Sequence, residues 1–354
     1  MLESRHSSRL VENSGEVPPH PSLLFAIRRL MLEEVPRDIE RKMPKVMELA
    51  TRLREKLPLF RMKKREAFKF VTGVDAGSQI LMLASKHYAI ISALTYSLPS
   101  GSCFFHTPES LSYPLSFPGA RFRGIVSVRR EARLYETACS FLEGNPGVDL
   151  LLIDGPLAFS NLWGITGREQ DRQRLINGVN RFLELCMDKD VVVAGIVKRP
   201  SARYLVYYMG LNEETELSDS FLLLQALRSG ERTDIFSPRT ALRYVSRAST
   251  FMDAIHCPIY SFYGRFSNDW SIPPVRIDLP VFSLGSLDDI ADYCYGTSFW
   301  MGIPHALVRA DEEVRISKKF MSDVYMEIVS RIGRKTGKVS LLAPYWGEGI
   351  WMGA

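Results

Sequence analysis

The sequence predicts an α/β domain built on a mixed sheet, and three observations lead to this prediction. An early group of apolar, β-branched stretches indicates adjacent strands, whereas later apolar stretches alternate with amphipathic helices. Two of the predicted strands, 68–74 and 149–153, lead into Asp75 and Asp154, and a glycine follows closely in both cases. The connections between successive elements are short, so nothing in this region requires a division into several domains.

The elements are predicted in order from their apolar spacing and their turn residues. After the first strand we expect a sharp turn at Gly77 and Ser78, because glycine relieves tight turns. Strands are predicted at 68–74, 79–84, 88–97, 101–105, 123–128, 149–153, 191–197, 244–249, 259–266 and 275–279. Helices are predicted at 129–143, 168–187, 219–227, 288–299 and 304–331, with Ser218 as an N-cap, Pro304 in the last helix's first turn, and a loop around Pro108, Pro114 and Pro118.

The first 62 residues are predicted to form an N-terminal arm. Residues 1–20 are polar and proline-rich, which is typical of a disordered lead-in, whereas residues 22–62 show helical apolar spacing. The basic cluster 61–65 is either a solvated helix face or a phosphate contact. Residues 63–354 are predicted to be the second unit, which ends in helices and a tail rich in Trp and Tyr.

Length and composition are those of an ordinary globular protein. The chain has 354 residues, 46% apolar and 24% charged, and a formal net charge of +5, which is compatible with a nucleic-acid partner without requiring one. Five scattered cysteines without a C-x-x-C pair argue against a zinc site or a disulfide framework and favour a reducing cytoplasm. We expect no signal peptide, and the most apolar run, 89–98, is too short to span a bilayer.

Two acids are predicted to meet at one edge of the sheet. Asp75 and Asp154 end strands about 80 residues apart, and their carboxylates lie together if the strands are neighbours. Each could instead simply cap the turn that follows its strand. Carboxylates are the hard oxygen ligands that suit Mg²⁺ or Mn²⁺. Such a site can activate water and stabilise a leaving alkoxide in phosphodiester cleavage.

Flanking elements offer further candidates. Glu136 lies on the helix before the second acid-tipped strand, and Glu131 lies about 140° around that helix, so both cannot face one site. Asp311 lies near the start of a later helix, where the helix dipole alone would favour an acid. Lys198 ends an apolar strand and is either a surface lysine or a cation for a phosphate or for transition-state charge. His305 has no metal-ligand partner nearby in the sequence, so we expect it to be non-catalytic.

At five places the sequence resembles the NurA nuclease family. The matching segments are GVDAGS at 73–78, LIDGPL at 152–157, VAGIVKR at 193–199, SD at 218–219 leading to GER at 230–232, and GIPHALVRAD at 302–311. Their order and spacing fit the family over residues 68–320. The resemblance implies an RNase H-like fold, a homodimer and a Mn²⁺-dependent nuclease that degrades DNA from 5′ ends and cuts single strands. It also implies that the protein acts with the hexameric HerA helicase in DNA end resection and repair.

The resemblance also assigns site residues, position by position. The metal-binding acids would be Asp75, Glu136, Asp154 and Asp311, and Lys198, the cation at the end of its strand, is the further catalytic candidate. The family often has His at the position of Asp311, and an aspartate is a sound ligand for Mn²⁺. The family usually has Tyr where this chain has Ile303, which removes a hydroxyl near the site, and Pro where it has Ala306.

Two other classes of protein were weighed against this one. An actin-like or sugar-kinase-like ATPase shares the superfold, and residues 74–78 would pass for its first phosphate loop. Such an ATPase needs a second copy of the fold and a second glycine-rich hairpin, and neither is found in the sequence. A non-catalytic DNA-end or helicase adaptor would keep the fold without the chemistry. The acids argue against an adaptor, whereas the loss of the Tyr at Ile303 favours it.

Overall fold

A computed structural model of the chain describes residues 20–83, 86–159, 168–242, 249–299 and 301–338. The chain divides into two compact units, with the boundary between Arg52 and Leu53. The predicted disordered lead-in and the aromatic tail lie outside the described residues, as does most of the strand predicted at 244–249. Among the described helices, none combines the length and the hydropathy that crossing a membrane requires.

The first unit is helical, as the apolar spacing predicts. Helix α1 (Pro21–Arg29), a π-helical turn (Leu30–Glu34) and helix α2 (Val35–Lys56) follow one another without a break, and the last turn of α2, from Leu53 onwards, belongs to the second unit. A proline at the first helical position costs no hydrogen bond, because that amide has no partner within the helix. The apolar side chains of α1 and of the π-helical turn are exposed to solvent, including Phe25, which is 73% exposed.

The second unit is built on one mixed sheet. Its described strands are β1 (Leu59–Arg61), β2 (Val71–Leu83), β3 (Lys86–Leu98), β4 (Ser102–Phe105), β5 (Glu109–Pro114), β6 (Leu150–Asp154), β7 (Val192–Val197), β8 (Glu231–Thr233), β9 (Ile259–Gly264) and β10 (Val275–Pro280). The order across the sheet is β1-β8-β9-β10-β7-β6-β2-β3-β4, and β5 pairs with β3. Strands β2, β6 and β7 run parallel, whereas β3 and β10 run antiparallel to their neighbours.

Helices cover the sheet. The described ones in this unit are α3 (Gly119–Gly144), α4 (Glu169–Asp188), α5 (Tyr204–Tyr208), α6 (Asp219–Ala226), α7 (Pro238–Leu242), α8 (Ser249–Ala254), α9 (Leu287–Thr297), α10 (His305–Val314) and α11 (Lys318–Thr336). Helices α3 and α10 both pack on β2 and β3, and α4 packs on α3. The predicted α/β architecture with a mixed sheet is therefore confirmed, and the strand order β4-β3-β2-β6-β7 is that of an RNase H-like fold.

The core follows from the continuous apolar runs of the central strands. Strands β6 and β7 are covered on both faces, so Leu150, Leu152 and Ile196 are fully buried. They pack with residues of β9 and β10 and with α9 and α10 in one cluster. Burial of this kind stabilises the fold by roughly 25 cal/mol for each Å² of apolar surface removed from water. Most of the predicted strands and helices in this region match the structure to within a few residues.

The predicted turn at Gly77 and Ser78 is wrong, because β2 continues through it to Leu83. The glycines of β2 serve a different purpose. A Cβ atom at Gly73 would lie 2.5 Å from the carbonyl oxygen of Ala306, and one at Gly77 would lie 2.9 Å from that of Val314. Both glycines thus allow the backbone of α10 to approach the strand closely.

The strand predicted at 123–128 is also wrong, because this segment is part of α3. Its β-branched residues favour a strand locally, but Ile125 and Val126 are buried against Ala89 and Ile91 of β3. Helical spacing brings these side chains to the sheet, so tertiary packing overrides their intrinsic preference.

Three smaller predictions also differ from the structure. The predicted loop around Pro108 contains strand β5, whose last residue is Pro114; a proline is tolerated there because a strand end need not supply every ladder hydrogen bond. The helix predicted at 304–331 breaks after Val314, and the Ser317 hydroxyl caps α11 by accepting a hydrogen bond from the Phe320 amide. Ser218 precedes α6 but makes no capping bond with its side chain.

Candidate active site

Three parallel strands bring the first acids to one edge of the sheet. Val74 of β2 is paired with Ile153 of β6, so the next residues along, Asp75 and Asp154, lie side by side. Asp154 is in turn paired with Ile196 of β7, and Lys198 follows directly after the end of that strand. The two strands predicted to be neighbours are therefore neighbours in the parallel sense that places both acids at one edge.

Helix α10 adds a third acid. Side chains alternate between the faces of a strand, so Asp75 shares a face of β2 with Gly73 and Gly77, the face that α10 covers. This close approach places Asp311 next to the strand residues. Carboxylate oxygens of Asp75, Asp154 and Asp311 all lie within 4.8 Å of one another. We call these three residues the carboxylate cluster.

Lys198 is the cation of the cluster. Its Nζ lies 2.6 Å from Oδ2 of Asp154 and 3.6 Å from Oδ1 of Asp311. Burial alone would lower the pKa of Lys198, but the charge of Asp154 and its hydrogen bond raise it, so the ammonium stays charged. One lysine against three acids leaves the cluster with an excess of negative charge.

Burial makes that excess costly. Asp75 is only 7% exposed, and burial together with the nearby charge of Asp154 raises its pKa to about 8. Burial also raises the pKa of Asp154, although Lys198 acts in the opposite direction. The backbone amide of Ala76 donates a 2.6 Å hydrogen bond to Asp75 Oδ1. Three carboxylates that share one site and lack a matching positive charge are the donor set that a hard divalent cation requires.

The structure does not bring Glu136 into the carboxylate cluster, which corrects the expectation from the sequence. Its Oε1 lies 2.6 Å from Nε of Arg174, and Arg133 lies 3.1 Å from its other oxygen. These contacts lower the pKa of Glu136 against the opposing effect of burial, which is the larger single influence. Glu136 lines a separate cavity with Arg174 and residues of α3 and α4.

Glu131 occupies the position that was predicted for Glu136. It lines a cavity of about 650 Å³ together with the carboxylate cluster, Gln79 and Arg130. Its Oε1 lies 2.6 Å from Nη2 of Arg130. Glu131 shares a face of α3 with the buried Val128 and Tyr135, whereas Glu136 shares one with the buried Ala132 and Cys139, so helical spacing alone does not distinguish the two acids.

The other residues singled out in the sequence lie outside the cluster. Ile303 is buried in the loop before α10. The ring of His305 packs edge-on against Phe299, with 4.9 Å between the ring centroids, as a structural histidine would. In the basic cluster 61–65, Arg65 Nη1 lies 3.2 Å from Asp289 Oδ1.

Comparison with known proteins places this geometry in context. A family model described as the NurA domain matches residues 69–316. The fold is similar to that of the NurA nuclease from Sulfolobus solfataricus, with 15% identity, a TM-score of 0.63, and coverage of 89% of this chain and 98% of that one. A second NurA structure has 12% identity, a TM-score of 0.52 and coverage of 86% and 99%. A NurA structure with manganese has 12% identity, a TM-score of 0.50 and coverage of 84% and 98%. A search among curated proteins found no match.

Proposed function

The chain belongs to the NurA family, and on that premise we propose that it is a metal-dependent DNA nuclease that hydrolyses phosphodiester bonds. The observation that carries the proposal is the carboxylate cluster, whose oxygens lie within 4.8 Å of one another in an open cavity. We propose Mn²⁺ as the ion, with Mg²⁺ as a substitute, because both prefer oxygen ligands. A NurA protein of similar fold was solved with manganese, which supports this choice.

The proposed ligands are Asp75, Asp154 and Asp311, with Glu131 as the additional acid in place of Glu136. When bound, the ion would polarise the phosphoryl group and make a water molecule more acidic. The protein's own residues prepare the site for this. The backbone of Ala76 orients the carboxylate of Asp75, and Arg130 orients that of Glu131.

Lys198 has a separate role in the proposal. Its ammonium group lies at the edge of the cluster, where a phosphate oxygen or a leaving oxygen would carry negative charge. A fixed cation there stabilises the transition state more than the ground state, because that charge increases as the bond breaks. Arg199, the next residue in the chain, is exposed and adds to the positive charge available for a phosphate.

The direct test is cleavage of labelled single-stranded DNA with Mn²⁺, with Mg²⁺ or with a chelator. Wild type should cleave with either metal and stop with the chelator. Asp75→Asn should lose activity by about 10³-fold, since it removes a charged ligand from the centre of the site. Met187→Ala, an exposed residue at the end of α4, is the control and should be fully active. A wild type that binds DNA without cutting it would support the adaptor instead.

The finer activities follow from the family resemblance and remain part of the proposal. We propose 5′ to 3′ exonuclease activity and endonuclease activity on single strands, in DNA end resection and double-strand break repair. Strands labelled at the 5′ end and at the 3′ end distinguish the two polarities. Adding a HerA-type hexameric helicase tests the proposed partnership, which should increase the rate on double-stranded ends. We also propose a cytoplasmic location.

A homodimer is the proposed assembly. The exposed apolar side chains of the N-terminal helices support it, because soluble monomers seldom leave large apolar patches uncovered. Phe25, Met31 and Leu32 are 73%, 55% and 65% exposed. A Phe25→Glu, Leu32→Glu double variant should elute as a monomer at micromolar concentration, whereas wild type should elute as a dimer. Identical elution of the two would contradict this role for the helices.

A further inference from the structure

A second cavity, of about 670 Å³, opens beside the carboxylate cluster. It shares Asp154, Lys198 and Asp311 with the first cavity, but its remaining walls are different. One wall is Ile272 and Pro273, from the segment before β10. The other wall is Met301 and Ile303, from the loop before α10. We call this space the apolar cavity.

The two cavities differ in chemistry. Gln79, Arg130 and Glu131 make the first one polar and charged, as a sugar-phosphate chain requires. Beyond the shared residues, the apolar cavity is lined by its four apolar wall residues and by Arg199 and Ser271. The wall residue Met301 is 37% exposed. Apolar surface left open at the edge of a charged site is unfavourable unless a ligand covers it.

The two walls of the apolar cavity come from segments that run close together. Gly302 has a φ of +66°, and a Cβ atom there would lie 3.3 Å from Cγ2 of Ile272, so a larger residue at this position would crowd the opposite wall. The Ser271 hydroxyl at the rim donates a 2.7 Å hydrogen bond to Asp269 Oδ1. Its proton is therefore already committed and is not available as a donor to the edge of a ligand.

We propose that the apolar cavity holds the nucleobase of the nucleotide whose phosphate lies over Asp154 and Lys198. The inference rests on the proposed nuclease function and specifies how that site holds its substrate. A flat base suits two aliphatic walls, and Arg199 beside Lys198 supplies charge for the phosphate. Discrimination between bases requires hydrogen bonds to their edges. The walls contact the faces of the base, so the cavity binds purines and pyrimidines alike.

The test is calorimetric titration, in Mn²⁺, with dTMP, dAMP and the base-free 2-deoxyribose 5-phosphate. For wild type we expect both nucleotides to bind about tenfold more tightly than the base-free compound, and within about threefold of each other. Met301→Ala and Ile272→Ala, on opposite walls, should each reduce the advantage of the base about threefold. Met301→Leu and the surface control Met187→Ala should keep it.

Three results would overturn the inference. The first is that the base-free compound binds wild type as tightly as dTMP, or that no nucleotide binds. The second is that both wall variants keep the full advantage of the base. The third is that they weaken all three ligands equally, which would mean damage to the phosphate site.

A parallel measurement separates this inference from the proposed function. It compares hydrolysis of thymidine 5′-(p-nitrophenyl phosphate) with that of methyl p-nitrophenyl phosphate, which has no base. If wild type hydrolyses neither ester, the proposed nuclease function is contradicted. The affinity of the nucleotides relative to the base-free compound would still decide whether the apolar cavity holds a base. Preserved hydrolysis of the methyl ester in Met301→Ala, with slower hydrolysis of the thymidine ester, is the expected result.

Discussion

Glutamine at Glu131 and at Glu136 should have opposite effects, although the two acids lie five residues apart on α3. Glu136 accepts hydrogen bonds from Arg174 at 2.6 Å and 2.8 Å and from Arg133 at 3.1 Å, and its side chain is 27% exposed. Glutamine keeps one carbonyl oxygen but loses the charge, so we expect Glu136→Gln to lower the free energy of unfolding by about 1–2 kcal/mol.

Within the described part of the chain, Glu131 forms an ion pair with Arg130, whose side chain is 39% exposed. Glu131 itself is only 11% exposed, but glutamine keeps an oxygen for the Arg130 hydrogen bond and removes one negative charge from beside the carboxylate cluster, so Glu131→Gln should change stability little. It does, however, remove a charge from the cavity of the carboxylate cluster. We expect Mn²⁺-dependent cleavage to fall by about 100-fold, whereas Glu136→Gln should stay within about threefold of wild type.

Two assays on the same preparations of both variants separate the effect on stability from the effect on catalysis. Urea unfolding followed by circular dichroism gives the stability of each variant, and initial rates over a range of Mn²⁺ concentrations give activity and apparent metal affinity. We expect Glu131→Gln to be stable but nearly inactive, and Glu136→Gln to be active but less stable. If Glu136→Gln loses activity at normal stability while Glu131→Gln remains active, then the placement of α3 described above is wrong.

Two further predictions concern packing and pH. Gly73→Ala should lower the free energy of unfolding by roughly 1–3 kcal/mol and weaken Mn²⁺ binding in calorimetry, because its Cβ would meet the Ala306 carbonyl. Gly144→Ala, with nothing within 4 Å, is the control and should leave Mn²⁺ binding unchanged without any loss of stability. The hydrogen bond from Arg54 lowers the pKa of Glu231 to about 2, against the effect of burial. This pair therefore stabilises the fold above about pH 4.5 and the gain is lost as the pH falls towards 2. Glu231→Gln should flatten urea stability over that range, and an unchanged slope would refute the assignment.

The strand residues of the site could be predicted because their signals are local. An apolar run that ends in an acid reports both a buried strand and the position of its tip, and this located Asp75 and Asp154. The structure adds that the two strands pair in parallel, so that the two acids lie next to each other. Asp311 was harder to assign from the residues alone, because an acid early in a helix is favoured by the helix dipole with or without a metal.

The turn predicted at Gly77 and the strand predicted at 123–128 are both wrong because long-range contacts, which local sequence does not show, determine the structure there. A glycine next to a strand can indicate either a tight turn or the close approach of another backbone. At Gly77 only the position of α10 shows that the second explanation is correct. The β-branched residues Ile125 and Val126 are helical because the sheet surface buries them. Glu136 was assigned as a ligand from the family resemblance, whereas Glu131 is the residue of α3 that lines the cavity of the carboxylate cluster.

The close packing of α10 on β2 also determines when the site can exist during synthesis. Asp75 and Asp154 are synthesised first, and a long stretch of chain separates them from Asp311. Domains fold as their segments leave the ribosome, N-terminal parts first, and contacts between distant segments form late. A nascent chain that has not yet exposed α10 therefore carries two of the three clustered acids. The complete cluster can form only after α10 has been synthesised, so chains that stop before Asp311 are expected to be inert towards DNA.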